Sequence, residues 1–71
     1  MEGPLVSVVV PAFNAASTIG STLDSIARQT YRRLDVVIVD DGSTDATNSL
    51  VRRFCLSDSR MRLVEHPNSG V

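Results

Sequence analysis

The sequence predicts an α/β fold, a Rossmann-like βαβαβ unit built on a parallel sheet, and three observations point there. Two short runs rich in Val and Ile, residues 5–10 and 34–39, are too short for helices and are bounded by Pro or Asp. The segments that follow them carry apolar residues at helical spacing. The second run is almost continuously apolar, the pattern of a strand covered on both faces in a parallel sheet.

Each element has its own justification. Residues 5–10 lie between Pro4 and Pro11, so length, β-branching and flanks predict a first strand, with Pro11 to Asn14 as the loop after it. Over residues 16–29, Ile19, Leu23, Ile26 and Ala27 recur at i, i+4, i+7 and i+8 and define the stripe of a first helix. Gly20 weakens that helix by about 1 kcal/mol relative to Ala but leaves the period clear. Residues 34–39 form the second strand. Ser43, Thr44 or Asp45 can cap a second helix over residues 45–56, whose stripe is Thr47, Leu50, Val51 and Phe54. Ser57 to Ser59 end it, and residues 61–65 alternate Met61, Leu63 and Glu65 against Arg62 and Val64, as on an edge strand.

Right-handed crossovers with helices covering the sheet make this a three-layer unit with strand order 3-2-1. That order leaves one edge of the first strand unpaired, and an apolar edge of this kind predicts homo-oligomers through it. A chain of 71 residues supports one domain at most. Near that length only roughly 60% of the unfolded surface is buried, so the core is small. Glu65 to Val71 reads as a turn-rich loop leading into another apolar residue, so residues 1–71 are expected to be one partial domain, truncated at the C-terminus.

Composition excludes several classes. The net charge is −1, and the seven basic residues, all Arg, are spread from Arg28 to Arg62 without forming a stripe, so no nucleic-acid partner is expected. The single Cys55 has no partner for an internal disulfide, which makes cytoplasmic the default location. The N-terminal run, broken by Ser7 and ended by Pro11, is neither signal peptide nor membrane span.

The chemistry concentrates at Val36 to Asp45, where a buried-strand pattern stops at Asp40 and Asp41 before Gly42 and two hydroxyl residues. Ligands of open α/β sheets bind at the carboxyl ends of strands. A carboxylate there can accept hydrogen bonds from base N–H or ribose hydroxyls, hold a metal, or act as a general base. It can equally form Asx turns and cap the second helix. Phe13, just past the first strand, can stack on a nucleobase or cover the sheet edge as a core aromatic. Pro11 and Asn14 read as turn residues. His66 has no Cys or His partner at metal spacing and reads as a surface or loop residue. Ser43 has no catalytic His, and neither a dinucleotide fingerprint nor a phosphate-binding Gly-rich loop occurs.

Taken together, Val6-Ser-Val-Val-Val-Pro-Ala-Phe-Asn14, Ser25-Ile-Ala-Arg-Gln-Thr-Tyr31, Val37-Ile-Val-Asp-Asp-Gly-Ser-Thr-Asp-Ala-Thr47 and Asn68-Ser-Gly70 resemble the N-terminal part of family 2 glycosyltransferases. The resemblance covers nearly the whole chain after Gly3. It implies the nucleotide-binding portion of a GT-A fold, with a nucleotide-sugar donor that is usually a UDP-sugar. It implies that Pro11, Ala12 and Phe13 embrace the base, that Asp41 accepts the base's imide N–H, and that Asp40 shapes the loop or approaches the ribose. Phe13 stands where the family more often has Tyr, which keeps stacking and loses a hydroxyl.

The resemblance also implies inverting transfer. Mg²⁺ or Mn²⁺ would be held by an Asp-x-Asp motif, and the acceptor activated by a carboxylate, neither of them among these residues. The acceptor is not specified. Two alternatives stand beside this reading. One is a receiver-like signalling domain, whose acidic pair, however, ends the first strand rather than the second. The other is a non-catalytic piece that folds, self-associates or binds nucleotide weakly.

Overall fold

The structure is a computed structural model that describes residues 3–66. The expectations for the turn-rich tail and for Asn68-Ser-Gly70 fall outside those residues. In chain order the elements are β1 (Val6–Ala12), α1 (Ile19–Ala27), β2 (Leu34–Asp40), α2 (Thr47–Ser57) and β3 (Met61–Glu65). The strands form one parallel sheet in the order β1-β2-β3, the expected order read from the other edge. Val8 pairs with Val36, Ala12 with Asp40, and Asp40 with Glu65.

β1 runs two residues past Val10, the expected end, and so takes in Pro11 and Ala12. The amide of Val6 donates to the Arg33 carbonyl at 2.8 Å, so even-numbered N–H groups of β1 point at β2 and odd-numbered ones point outward. The N–H that Pro11 lacks would face the unpaired edge, and no ladder bond is lost. The ladder continues, with Asp41 N donating to the Ala12 carbonyl at 3.1 Å.

One face of the sheet carries the core. Ala12, Val36, Ile38 and Met61 pack with Ile19 and Leu23 of α1 and Val51 of α2. The predicted stripes are the buried ones, and Thr47, fully buried, joins them as a polar member. Both helices sit on this face because two successive right-handed crossovers that advance in one direction deposit them together. The described residues therefore supply two of the three expected layers. β2, predicted to be covered on both faces, is covered on one. Val9 (66% exposed), Val64 and the Arg62–Asp35 ion pair occupy the open face. No helix among the described residues is long and apolar enough to cross a membrane.

Candidate functional site

Strand alternation separates the two acids. Asp40 closes β2 on the same face as Val36 and Ile38, and only 2% of it is exposed. Its carboxylate accepts hydrogen bonds from the Ser43 amide (3.0 Å), the Ser43 hydroxyl (2.5 Å) and the Asn48 side-chain amide (3.1 Å). Burial pushes this carboxyl up, but the bonds from Ser43 and Asn48 outweigh it, and the net position is below the ordinary 3.8. With both oxygens engaged and almost no exposure, this carboxylate shapes the loop and does not line the cleft.

Asp41, one residue on, faces the opposite way, and its side chain is 61% exposed. Gly42 follows with φ 77°, the left-handed region that a Cβ disfavours. That turn carries the chain back so that Ser43 reaches Asp40.

The remaining polar residues of the segment lace the loop after β2 to the loop after β1. Asn14, itself left-handed at φ 47°, donates its amide to the Ser43 hydroxyl at 2.9 Å and accepts from the Thr44 amide at 2.8 Å. Ala15 N–H donates to the Thr47 hydroxyl oxygen (2.8 Å), and Ala16 N–H to Asp45 (3.2 Å). Asp45 also accepts from the Thr47 hydroxyl and amide, just ahead of Ala46 at the start of α2. The Thr47 hydroxyl is the main cause that lowers the Asp45 carboxyl. Of the candidate cappers Ser43, Thr44 and Asp45, only Asp45 bonds the amide of the first helical residue. α1 begins at Ile19 rather than Ala16, after a turn in which the Thr18 and Ile19 amides donate to the Ala15 carbonyl at 2.9 and 2.8 Å.

What the lacing presents is an open cleft of about 430 Å³ at the carboxyl end of the sheet, lined by Pro11, Ala12, Phe13, Val39, Asp41 and His66. Phe13 is 52% exposed, so the core-aromatic alternative does not hold. Ala12 borders the cleft while its side chain belongs to the core. His66, expected as a surface or loop residue, lines the cleft as well. Its backbone N–H donates to the Asp40 carbonyl at 2.7 Å, extending the β2–β3 ladder, and its Nδ1 lies 3.2 Å from Asp41 Oδ1. The signal was the parallel register: pairing Asp40 with Glu65 sets the next residues side by side on the open face.

The cleft thus combines an apolar plane, an outward carboxylate and an imidazole. Such a set can stack a flat heterocycle and accept one of its N–H donors. A groove of similar size between α1 and α2 is lined by Asp24, Ala27, Arg53, Phe54, Ser57 and Asp58. Both acids in it are already paired, Asp24 with Arg28 and Asp58 with Arg60.

Two sequence features lie elsewhere. Gln29 to Tyr31 sits at the opposite end of the sheet, where the Gln29 and Tyr31 carbonyls accept from Arg60 and the Tyr31 hydroxyl donates to the Pro4 carbonyl. The divalent metal implied by resemblance does not fit the acidic pair, since Asp40 and Asp41 point to opposite faces. No group of three candidate ligands gathers among the described residues.

Comparison with known proteins gives a consistent picture. The family model for glycosyl transferase family 2 matches residues 7–71. Glycosyltransferase GlyA of Streptococcus pneumoniae is 38% identical over 66 residues, 93% of this chain and 10% of that protein. The Escherichia coli protein named UDP-Glc:alpha-D-GlcNAc-diphosphoundecaprenol beta-1,3-glucosyltransferase WfgD is 39% identical over 64 residues, 90% of this chain and 24% of that one. Among solved structures, the mannosyltransferase PcManGT from Pyrobaculum calidifontis, in complex with GDP-Man and Mn²⁺, superposes with a TM-score of 0.79 at 45% identity. It covers 89% of this chain, which spans 19% of that one.

Proposed function

Because this chain belongs to glycosyl transferase family 2, we propose that its cleft binds the nucleotide of a nucleotide-sugar donor for an enzyme that moves the sugar to an acceptor. The chain spans a quarter or less of the relatives named above, so activity, donor and acceptor of the whole protein belong to the proposal. The observation that carries it is the placement of exposed Phe13 and outward Asp41 on one cleft at the carboxyl end of the sheet. The family match also displaces the receiver-like alternative.

Uracil is the base assigned. Its ring N–H is a donor for the Asp41 carboxylate, and its face stacks on Phe13. Guanine also carries a ring N–H, whereas adenine and cytosine do not. A relative whose name includes UDP-Glc supports UDP, and a neighbour bound to GDP-Man makes GDP the comparator. Pro11 and Ala12 would shape the cleft, and Asp40 acts only through the loop it holds. Inversion at the anomeric carbon follows the family resemblance and is read from the configuration of the product. No step is assigned to a metal, because these residues do not form a site for one.

Calorimetric titration of UDP, GDP and ADP into the protein tests this reading. UDP should bind, and Phe13→Ala and Asp41→Ala should each weaken it about tenfold or more, with stacking alone contributing about 1 to 3 kcal/mol. The melting temperature should hold, since both side chains are exposed. Unchanged affinity in both variants overturns the site, while tighter binding of GDP keeps the site and changes the nucleotide.

A further inference from the structure

We propose that His66 is a positioning residue of this nucleotide site, holding one oxygen of Asp41 so that the other faces the base. The inference rests on the reading of Asp41 given above. Asp41 leaves β2 on the open face, with its side chain 61% exposed. Among the described residues, the polar side chain that reaches it is His66, whose Nδ1 lies 3.2 Å from Oδ1. An imidazole bonds a carboxylate through a ring nitrogen that carries a proton, so Nδ1–H donates to Oδ1 and leaves Oδ2 to face the base. His66 is itself fixed from behind, because its amide is bound to the Asp40 carbonyl at 2.7 Å. The chain of restraint runs from the ladder through the imidazole to the carboxylate.

Stability does not explain the pair. Its side chains are 71% and 61% exposed, and ion pairs or hydrogen bonds this open contribute little to folding. Orientation is different: a carboxylate with a fixed rotamer does not lose that freedom when the base arrives. The pair also has distinct neighbours. Glu65, next to His66, is turned to the other face and is bound by Asn48 and Arg52. Asp40 is saturated by Ser43 and Asn48. Among the described residues the carboxylate partner of the imidazole is therefore the one in the cleft.

A double-mutant cycle on UDP affinity in the full protein decides the matter. His66→Ala should weaken UDP about tenfold and leave the melting temperature unchanged. His66→Asn, whose amide nitrogen overlays Nδ1, should restore most of the loss. In the Asp41→Ala background, His66→Ala should cost nothing further, because its only effect passes through Asp41. Loss in Asp41→Ala with no loss in His66→Ala, or additive losses in the double variant, overturns the role of His66 and leaves the nucleotide site intact. No loss in Asp41→Ala overturns the site reading itself.

Discussion

Asp40 and Asp41 are chemically identical neighbours that face opposite ways, and the two-residue period of a strand is the cause. The inward acid belongs to stability. Asp40→Ala removes three hydrogen bonds and leaves Ser43 and Asn48 without their partner, so unfolding free energy should fall by about 2 kcal/mol in a denaturant titration. Its carboxyl is lowered in the fold, so its contribution is present above the unfolded value near 3.8 and is lost as pH falls through the lower folded value. Acid unfolding of the native chain should steepen in that window, and Asp40→Asn should flatten it. An unchanged acid transition would show that Asp40 is not linked to folding. Asp41, by contrast, should be replaceable with little effect on the same curve. The sequence marked both residues, because two acids ending an apolar run are conspicuous. It did not assign them from spacing alone, since alternation fixes which is inward only once the buried face is known.

At the scale of elements, strand and helix existence was legible, and β3 falls at Met61–Glu65 as expected, but the ends of both helices differ from the expected ones. Periodicity reports which side chains share a face, whereas the ends depend on bonds to distant residues. α1 ends at Ala27 rather than Gln29, and Arg60, more than thirty residues on, is bound up with that end. Its guanidinium donates to the carbonyls of Ala27 (3.2 Å), Gln29 (2.8 Å) and Tyr31 (2.6 Å), and to Asp58 at 2.7 Å. Side chains of Arg60 and Asp58 are both largely buried. The bond to Arg60 holds the Asp58 carboxyl below its ordinary value. In the sequence Arg60 is one of seven dispersed arginines, and no local pattern shows that it closes a helix. Arg60→Leu should cost about 3 kcal/mol, because it strands a mostly buried carboxylate and three carbonyls. Arg60→Lys should recover only part of that, since an ammonium cannot reproduce the fork. A lysine variant as stable as the native chain in denaturant would show that charge alone matters there.

On the scale of the whole molecule, both helices lie on one face, and this decides where function and association can occur. The covered face holds the core and the saturated acid, while the open face holds Val9, Val64, the Arg62–Asp35 pair and, at its carboxyl end, the cleft. Among the described residues β1 pairs only with β2, so an unpaired edge adjoins an apolar face. Backbone donors on such an edge accept another strand, and apolar area beside it adds to the attraction. Sedimentation velocity of this chain should therefore show species that grow with concentration. Val9→Lys puts a charge on the edge strand at a residue 66% exposed in the fold. It should suppress that growth and change unfolding free energy by no more than about 0.5 kcal/mol. Nucleotide affinity should be unaltered, because Val9 is not among the residues lining the cleft. A native chain that sediments as a monomer at every concentration would refute association. Association that survives Val9→Lys would move it away from β1 and this face, to the groove between α1 and α2 or to the outer edge of β3.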